Sequence, residues 1–195
     1  MKTETFSELS VFSVHLKYIM GSCNCISTTN ISYAYDALGQ LIRVNEQTDT
    51  TSGATGTTAE YKYTADGLRV QKKVTVSGTA TTTNYILHGK NVVHMARGST
   101  ALHFWYDAQN RPTIVLYCTT RYAYVYNLQD GIVGVIDSTS VEVVKYTYDA
   151  WGKVLSTTGS LASTLGTVQP FRYWGDVYDI ETGLYYLRSR YYNPE

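Results

Sequence analysis

The sequence predicts an all-β protein built from antiparallel hairpins that follow one another into one long, curved sheet. Three observations carry this. Nineteen tyrosines stand among 195 residues. With abundant threonine and valine they supply the aromatic and β-branched side chains that suit a pleated surface. Tyr-x-Tyr pairs recur along the chain, and side-chain alternation puts both tyrosines of a pair on one face of a strand. Each pair runs into a turn sequence of Asp, Asn or Gly, after which an aliphatic residue starts a return strand. The curvature is expected because twist accumulates over many strands.

Residues 1–30 lack both patterns and read as a divergent N-terminal segment: a short helix, an odd edge strand, or a by-product of where the gene begins. The repeats occupy 31–169. Their copies centre on Tyr33, Tyr35, Asp36 and Gly39; on Tyr61, Tyr63, Asp66 and Gly67; on Phe104, Tyr106, Asp107 and Asn110; on Tyr124, Tyr126, Asp130 and Gly131; and on Tyr146, Tyr148, Asp149 and Gly152. In each, the acid is expected to open the turn by accepting from amides ahead of it, and Gly or Asn to close it. Extra strands fill 68–76 and 84–88, and a hairpin joins 132–136 to 141–148 around Asp137. Two Thr/Ser/Gly-rich stretches, 48–58 and 156–167, read as loops, the second with room for a helical turn at Leu161 and Leu165. Neither divides the chain into two domains. The aromatic stretch 170–195 reads as one hairpin: strand 171–178, a turn over Asp179 to Gly183, and strand 184–192.

Composition argues against several functions. Sixteen basic and sixteen acidic residues balance, which leaves no basic face for a nucleic-acid partner. Cys23, Cys25 and Cys118 make an odd count without zinc-site spacing. His15, His88, His94 and His103 are scattered; His88 and His94 flank a turn at Gly89, but two histidines specify little alone. No apolar run is long enough for a membrane span, and Glu4 and Glu8 stand where a signal peptide needs positive charge. No Gly-rich phosphate loop or nucleophile–base order appears. The chain therefore reads as not an enzyme, with no catalytic, cofactor or metal residue.

The polar and aromatic residues have competing readings. The tyrosine rows could stack on sugars, but they track the repeat and read as sheet packing. The turn acids, Asp179 included, could be catalytic carboxylates or calcium ligands, but they read as turn formers. Arg172, Arg188 and Arg190 could contact a cargo. The simpler reading stacks them on tyrosine rings or pairs them with Asp176, Asp179 and Glu181.

The Tyr-x-Tyr-Asp-x-x-Gly copies resemble YD repeats. The segment with Pro170, Phe171, Arg172, Tyr173 and Gly175, then Tyr178, Asp179, Gly183, Tyr185, Tyr186, Arg188, Arg190, Tyr191, Tyr192 and Pro194, resembles the RHS repeat-associated core. Tyr146 to Val154 is similar to the stretch before that core. The resemblance covers about residues 31–195. It implies part of a spiral β-shell that encapsulates or presents a C-terminal polymorphic toxin in bacterial competition, secreted or at the cell surface. The partners it implies are further YD repeats and a C-terminal effector domain in a longer protein. The alternatives are a glycan- or cell-surface-binding β module, with carbohydrate as partner, and a truncated remnant whose open sheet edges self-associate. Four positions depart from the core pattern: Asn193 stands where Asp is usual, and Trp174, Asp176 and Val177 are atypical. The chain stops at Glu195, before the region where the family places a self-cleavage site.

Overall fold

The structure is a computed structural model and describes residues 10–19, 26–50 and 53–195. Cys23 and Cys25, like residues 1–9, lie outside the described residues. The chain divides into two compact units, residues 1–83 and 84–195.

The first unit holds β1 (Ser10–Ile19), β2 (Ile26–Tyr35), β3 (Leu41–Thr50), β4 (Gly53–Tyr63) and β5 (Arg69–Val76). Each pairs antiparallel with the next. Ala34, Leu41, Val44, Ala59, Tyr61 and Val74 are buried, with Val44, Ala59, Tyr61 and Val74 on one face. The unit boundary falls within β6 (Thr79–His88).

The second unit continues the up-and-down order with β7 (Asn91–Arg97), β8 (Thr100–Tyr106), β9 (Pro112–Tyr117), β10 (Thr120–Tyr126), β11 (Ile132–Ile136), β12 (Glu142–Tyr148) and β13 (Val154–Thr158). A short helix, α1 (Leu165–Val168), and a three-stranded sheet of β14 (Val177–Asp179), β15 (Leu184–Tyr186) and β16 (Tyr191–Tyr192) follow. The architecture is all-β and antiparallel, as the residue pattern predicts.

Each repeat folds the same way, and the reason is local. The residue after the second aromatic opens the turn. The Asp36 carboxylate accepts from the Leu38 and Gln40 amides at 2.9 Å each. Asp107 does the same for Gln109 and Arg111, and Asp149 for Trp151 and Lys153. Three residues on, the backbone turns left-handed, at Gly39 (φ 77°), Gly67 (78°), Asn110 (62°), Asp130 (58°) and Gly152 (91°). Glycine, Asn and Asp are the residues that tolerate that conformation.

This rule corrects two expectations. In the second copy the opener is Thr64, whose Oγ1 accepts from the Leu68 amide at 3.1 Å; Asp66 is an exposed turn residue. In the fourth, Asn127 opens the turn through the Gln129 and Gly131 amides. Asp130 holds the left-handed position that the sequence reading gave to Gly131.

The second tyrosine has a task that strand alternation does not reveal. The ladder register slips by one residue beside Tyr35, Tyr63, Tyr106, Tyr126 and Tyr148, a bulge before every turn. From that position the hydroxyl reaches the preceding return strand. Tyr63 donates to the Leu41 carbonyl at 2.5 Å, Tyr106 to Val92 at 2.7 Å and Tyr148 to Ile132 at 2.6 Å. Tyr126 donates to the Pro112 carbonyl. Leu41, Pro112 and Ile132 are the residues that pair with the bulge tyrosines Tyr35, Tyr106 and Tyr126. One tyrosine therefore bolts each of these hairpins to the one before it. Burial pushes the Tyr106, Tyr126 and Tyr148 hydroxyls well above the ordinary tyrosine range, so they remain protonated donors.

Two stretches fold otherwise than expected, and a third does so in part. Residues 48–58 are strand wherever they are described, because threonine is a strand former on a half-solvated face. Thr48 bonds Thr29 at 3.0 Å and Thr58 donates to the Asn45 side chain at 2.8 Å. Within 156–167, β13 runs to Thr158 where a loop was expected, but the expected helical turn forms: turns at Leu161 lead to α1, where Leu165 is fully buried. The stretch 170–195 is three short strands, not one hairpin. Trp174 (φ 55°) and Gly175 (φ 70°) break its first half. Arg188 (φ 67°) breaks the second, in a turn where the Leu187 amide donates to the Arg190 carbonyl at 2.9 Å.

Tyr148→Phe should lower the unfolding free energy by about 1 kcal/mol, the usual net worth of one hydrogen bond. Urea denaturation checks this; an unchanged midpoint would show that the hydroxyl bolt contributes nothing.

Candidate functional site

The C-terminal segment from α1 to β16 is laid against the tyrosine-bearing face of the second unit. Phe171 is its anchor. It meets Phe104, Tyr106 and Tyr124 edge-on, with ring centroids 4.9, 6.3 and 6.2 Å away, a favoured geometry for aromatic pairs. Tyr173 packs against Tyr148 and Tyr185. Its ring also fills the space beside Gly152, where a Cβ would lie 2.4 Å from it.

A buried polar network fixes the segment. Gln169 is 1% exposed and uses its whole amide. Its Oε1 accepts from the Phe171 amide and the Tyr124 hydroxyl; its Nε2 donates to the Tyr146 hydroxyl and the Phe171 carbonyl. Tyr146 in turn donates to the Gly166 carbonyl at 2.9 Å.

Arg172 completes the network at 3% exposure. Nη1 donates to the carbonyls of Gln169 (2.6 Å) and Phe171 (3.0 Å), and Nη2 to that of Gly166 (2.5 Å). The guanidinium also lies 4.1 Å from the Tyr146 ring centroid. Carbonyl dipoles and a ring face stabilise the charge; no ion pair to a carboxylate joins them among the described residues. A buried charge left without such partners would be costly. The main chain of Arg172 ties the segment to the sheet, because its carbonyl accepts from the Ile132 amide at 3.1 Å.

The other residues singled out in the sequence fall into separate places. Tyr35, Asp36, Gly39, Tyr63, Asp66 and Gly67 belong to the first unit. In the second, Tyr185 and Tyr192 donate to the carbonyls of Gly152 and Trp151 at 2.7 and 2.9 Å, extending the bolt pattern to the last turn, that of Asp149. Tyr178 packs against Tyr185 with ring centroids 4.8 Å apart, and Tyr186 against Tyr191 at 5.3 Å, both pairs tilted. The Asp179 carbonyl accepts from the Thr182 and Gly183 amides. Gly175 and Gly183 take left-handed turns, and Pro194 is buried. Arg188 and Arg190 are exposed, and the pairing expected of Glu181 is made by Arg97 at 3.0 Å. Gln169 was missed, since a lone glutamine carries no sequence signal; its place one residue before the Pro170 core box was the only pointer.

Arg188 and Asp176 instead share a small cleft of about 60 Å³ with Lys90, Asn91, Tyr106 and Phe171. Burial pushes the Asp176 carboxyl up to about 6, partly opposed by the Arg188 charge. Among the described residues no cluster of three metal-ligating side chains occurs. No helix among them is long and apolar enough to cross a membrane.

No family model matches the chain. A 175-residue stretch is 35% identical to tRNA nuclease WapA of Bacillus subtilis (strain 168), covering 88% of this chain. The tRNA3(Ser)-specific nuclease WapA of Bacillus spizizenii is 34% identical over the same length. Double-stranded DNA deaminase toxin A of Burkholderia cenocepacia (strain H111) is 26% identical over 168 residues, 84% of this chain. The crystal structure of TcdB2-TccC3-Cdc42 superposes on 84% of the chain with a TM-score of 0.66 at 18% identity. That of TcdB2-TccC3 without its hypervariable C-terminal region superposes with 0.63, also at 18% identity. The chain has the fold of a TcdB2-TccC3 toxin-complex segment. It spans 7% of the length of the WapA relatives, 11% of the deaminase toxin and 8% of those two toxin-complex chains. The expectation that the protein is not an enzyme is corrected here: the curated relatives that align with most of the chain are named as nucleases and as a deaminase.

Two outcomes are expected. Arg172→Leu should cost about 3 kcal/mol or more, because it removes three buried hydrogen bonds to carbonyls and leaves that of Gln169 without a donor; guanidinium denaturation reads it. Asp176 binds its proton more tightly folded than unfolded, so its contribution is most favourable below pH 4 and is lost as pH rises toward about 6. Asp176→Asn should therefore raise the melting temperature at pH 7.5 and leave it unchanged at pH 3.5; equal effects at both would refute the assignment.

Proposed function

We propose that this chain is an RHS/YD-repeat wall segment of a longer bacterial toxin, and that the whole protein is an enzyme acting on nucleic acid. The observation that carries the reading is the 35% identity over 175 residues to a tRNA nuclease. The fold likeness to toxin-complex chains supports the wall role. In this reading 31–169 supply wall repeats, 170–195 are the core segment that closes them, and a C-terminal effector domain is the partner. The protein acts outside the cell that makes it, secreted or at the surface. The nucleic acid is the substrate of the whole protein, which a charge-neutral wall does not preclude.

The interlocked architecture suits this role. Consecutive hairpins are bolted by buried donors, which gives a stiff wall. Outermost strands β1 and β13 each pair along one side only among the described residues, so neighbouring repeats of a longer chain can continue them. The repeat tyrosines are spent on ring packing and carbonyl bonds, which weakens the reading of them as a platform for sugars.

The test uses the full-length polypeptide that carries this segment. Incubated with tRNA and with double-stranded DNA, it should cleave or deaminate one of them, weakly when native and more strongly after mild denaturant loosens the wall. No change to either nucleic acid, native or loosened, would overturn the enzymatic reading. Full activity before loosening would overturn the containing wall.

A further inference from the structure

The exposed face of β7 and β8 carries a pair of histidines that the wall role does not use. His94 and His103 are direct partners in the antiparallel register. Their Nδ1 atoms are 3.2 Å apart, and the ring centroids 4.4 Å apart at 51°. On the opposite face Met95, Leu102 and Phe104 are buried, so both strands are held firmly beneath the pair. The hairpin is short and closed by Gly98 in a left-handed turn.

Two imidazole nitrogens set face to face are one metal ion away from a chelate. Zinc–nitrogen bonds of about 2.0–2.1 Å at a near-tetrahedral angle hold two nitrogens about 3.3 Å apart. The two nitrogens already stand at that separation, sharing a 3.2 Å hydrogen bond that the ion would replace, with the donor imidazole shifting its proton to Nε2. We propose that His94 and His103 form a cross-strand clip for one divalent transition ion of the zinc and copper class. Imidazole is a preferred ligand for these ions, whereas magnesium and calcium select oxygen.

The rest of the coordination sphere is water. No third His, Cys, Asp or Glu joins the pair among the described residues. The clip thus resembles an open, exchangeable site more than a closed structural one. Because its ligands come from two strands, the ion binds the folded hairpin and not the unfolded chain, and it adds to stability by linkage.

Zinc titration by calorimetry at pH 7.5, with magnesium as control, tests the proposal. One zinc ion should bind per chain, raise the melting temperature, and be lost in both His94→Gln and His103→Gln. His88→Gln should retain it. Copper(II) on the wild-type chain should give an electron paramagnetic resonance spectrum with two equatorial imidazole nitrogens, a readout that does not depend on any variant folding. Zinc binding that survives either His94→Gln or His103→Gln, or a copper spectrum with a single nitrogen, would overturn it.

Discussion

The structure depends on a single repeated contact, a tyrosine hydroxyl that donates to a main-chain carbonyl in the preceding hairpin. A meander of hairpins joined only by ladder hydrogen bonds can slide and splay, since every ladder bond has an equivalent one residue pair away. A side chain that reaches past its own turn to a fixed carbonyl removes that freedom. The bulge beside each second tyrosine aims the ring there, and the turn opened by the next residue places the bulge. Turn, bulge and bolt are one device in three parts, used by Tyr63 in the first unit and by Tyr106, Tyr126 and Tyr148 in the second.

The C-terminal segment uses the same currency differently. Where the repeats run out, the tyrosine face of the second unit would be left to solvent. Phe171, Tyr173 and Tyr185 cover it, and Tyr185 and Tyr192 bond to carbonyls at the Asp149 turn as a further repeat would. Gln169 and Arg172 then satisfy Tyr124, Tyr146 and the carbonyls trapped beneath. A stretch rich in aromatics is thereby held by two polar side chains, each with its bonding capacity matched to its surroundings.

Much of this was legible in the residues. Tyr-x-Tyr with a turn behind it gave the strands and their order, because alternation and turn chemistry are local. What was not legible depended on register. Asp66 and Asp130 look like turn openers by composition, yet the opener is fixed by its distance from the second tyrosine, and Thr64 and Asn127 hold that place. The hairpin read into 170–195 failed because Trp174 and Arg188 accept left-handed backbone without being glycine. Gln169 could not be found at all, since its importance comes from four partners, two of them over twenty residues away. The exclusion of enzymatic activity failed for another reason: composition describes this segment, and the relatives' activity belongs to proteins many times its length.

The partners chosen for Arg172 have a consequence for acid resistance. A guanidinium stays charged far above neutrality, and peptide carbonyls and an aromatic ring do not take up protons at any pH a protein meets. A latch made with Asp or Glu would weaken as its carboxylate protonated. This one holds the same strength in an acidified compartment as in neutral medium, and leaves sensing of acidity to groups such as Asp176 that lie outside it.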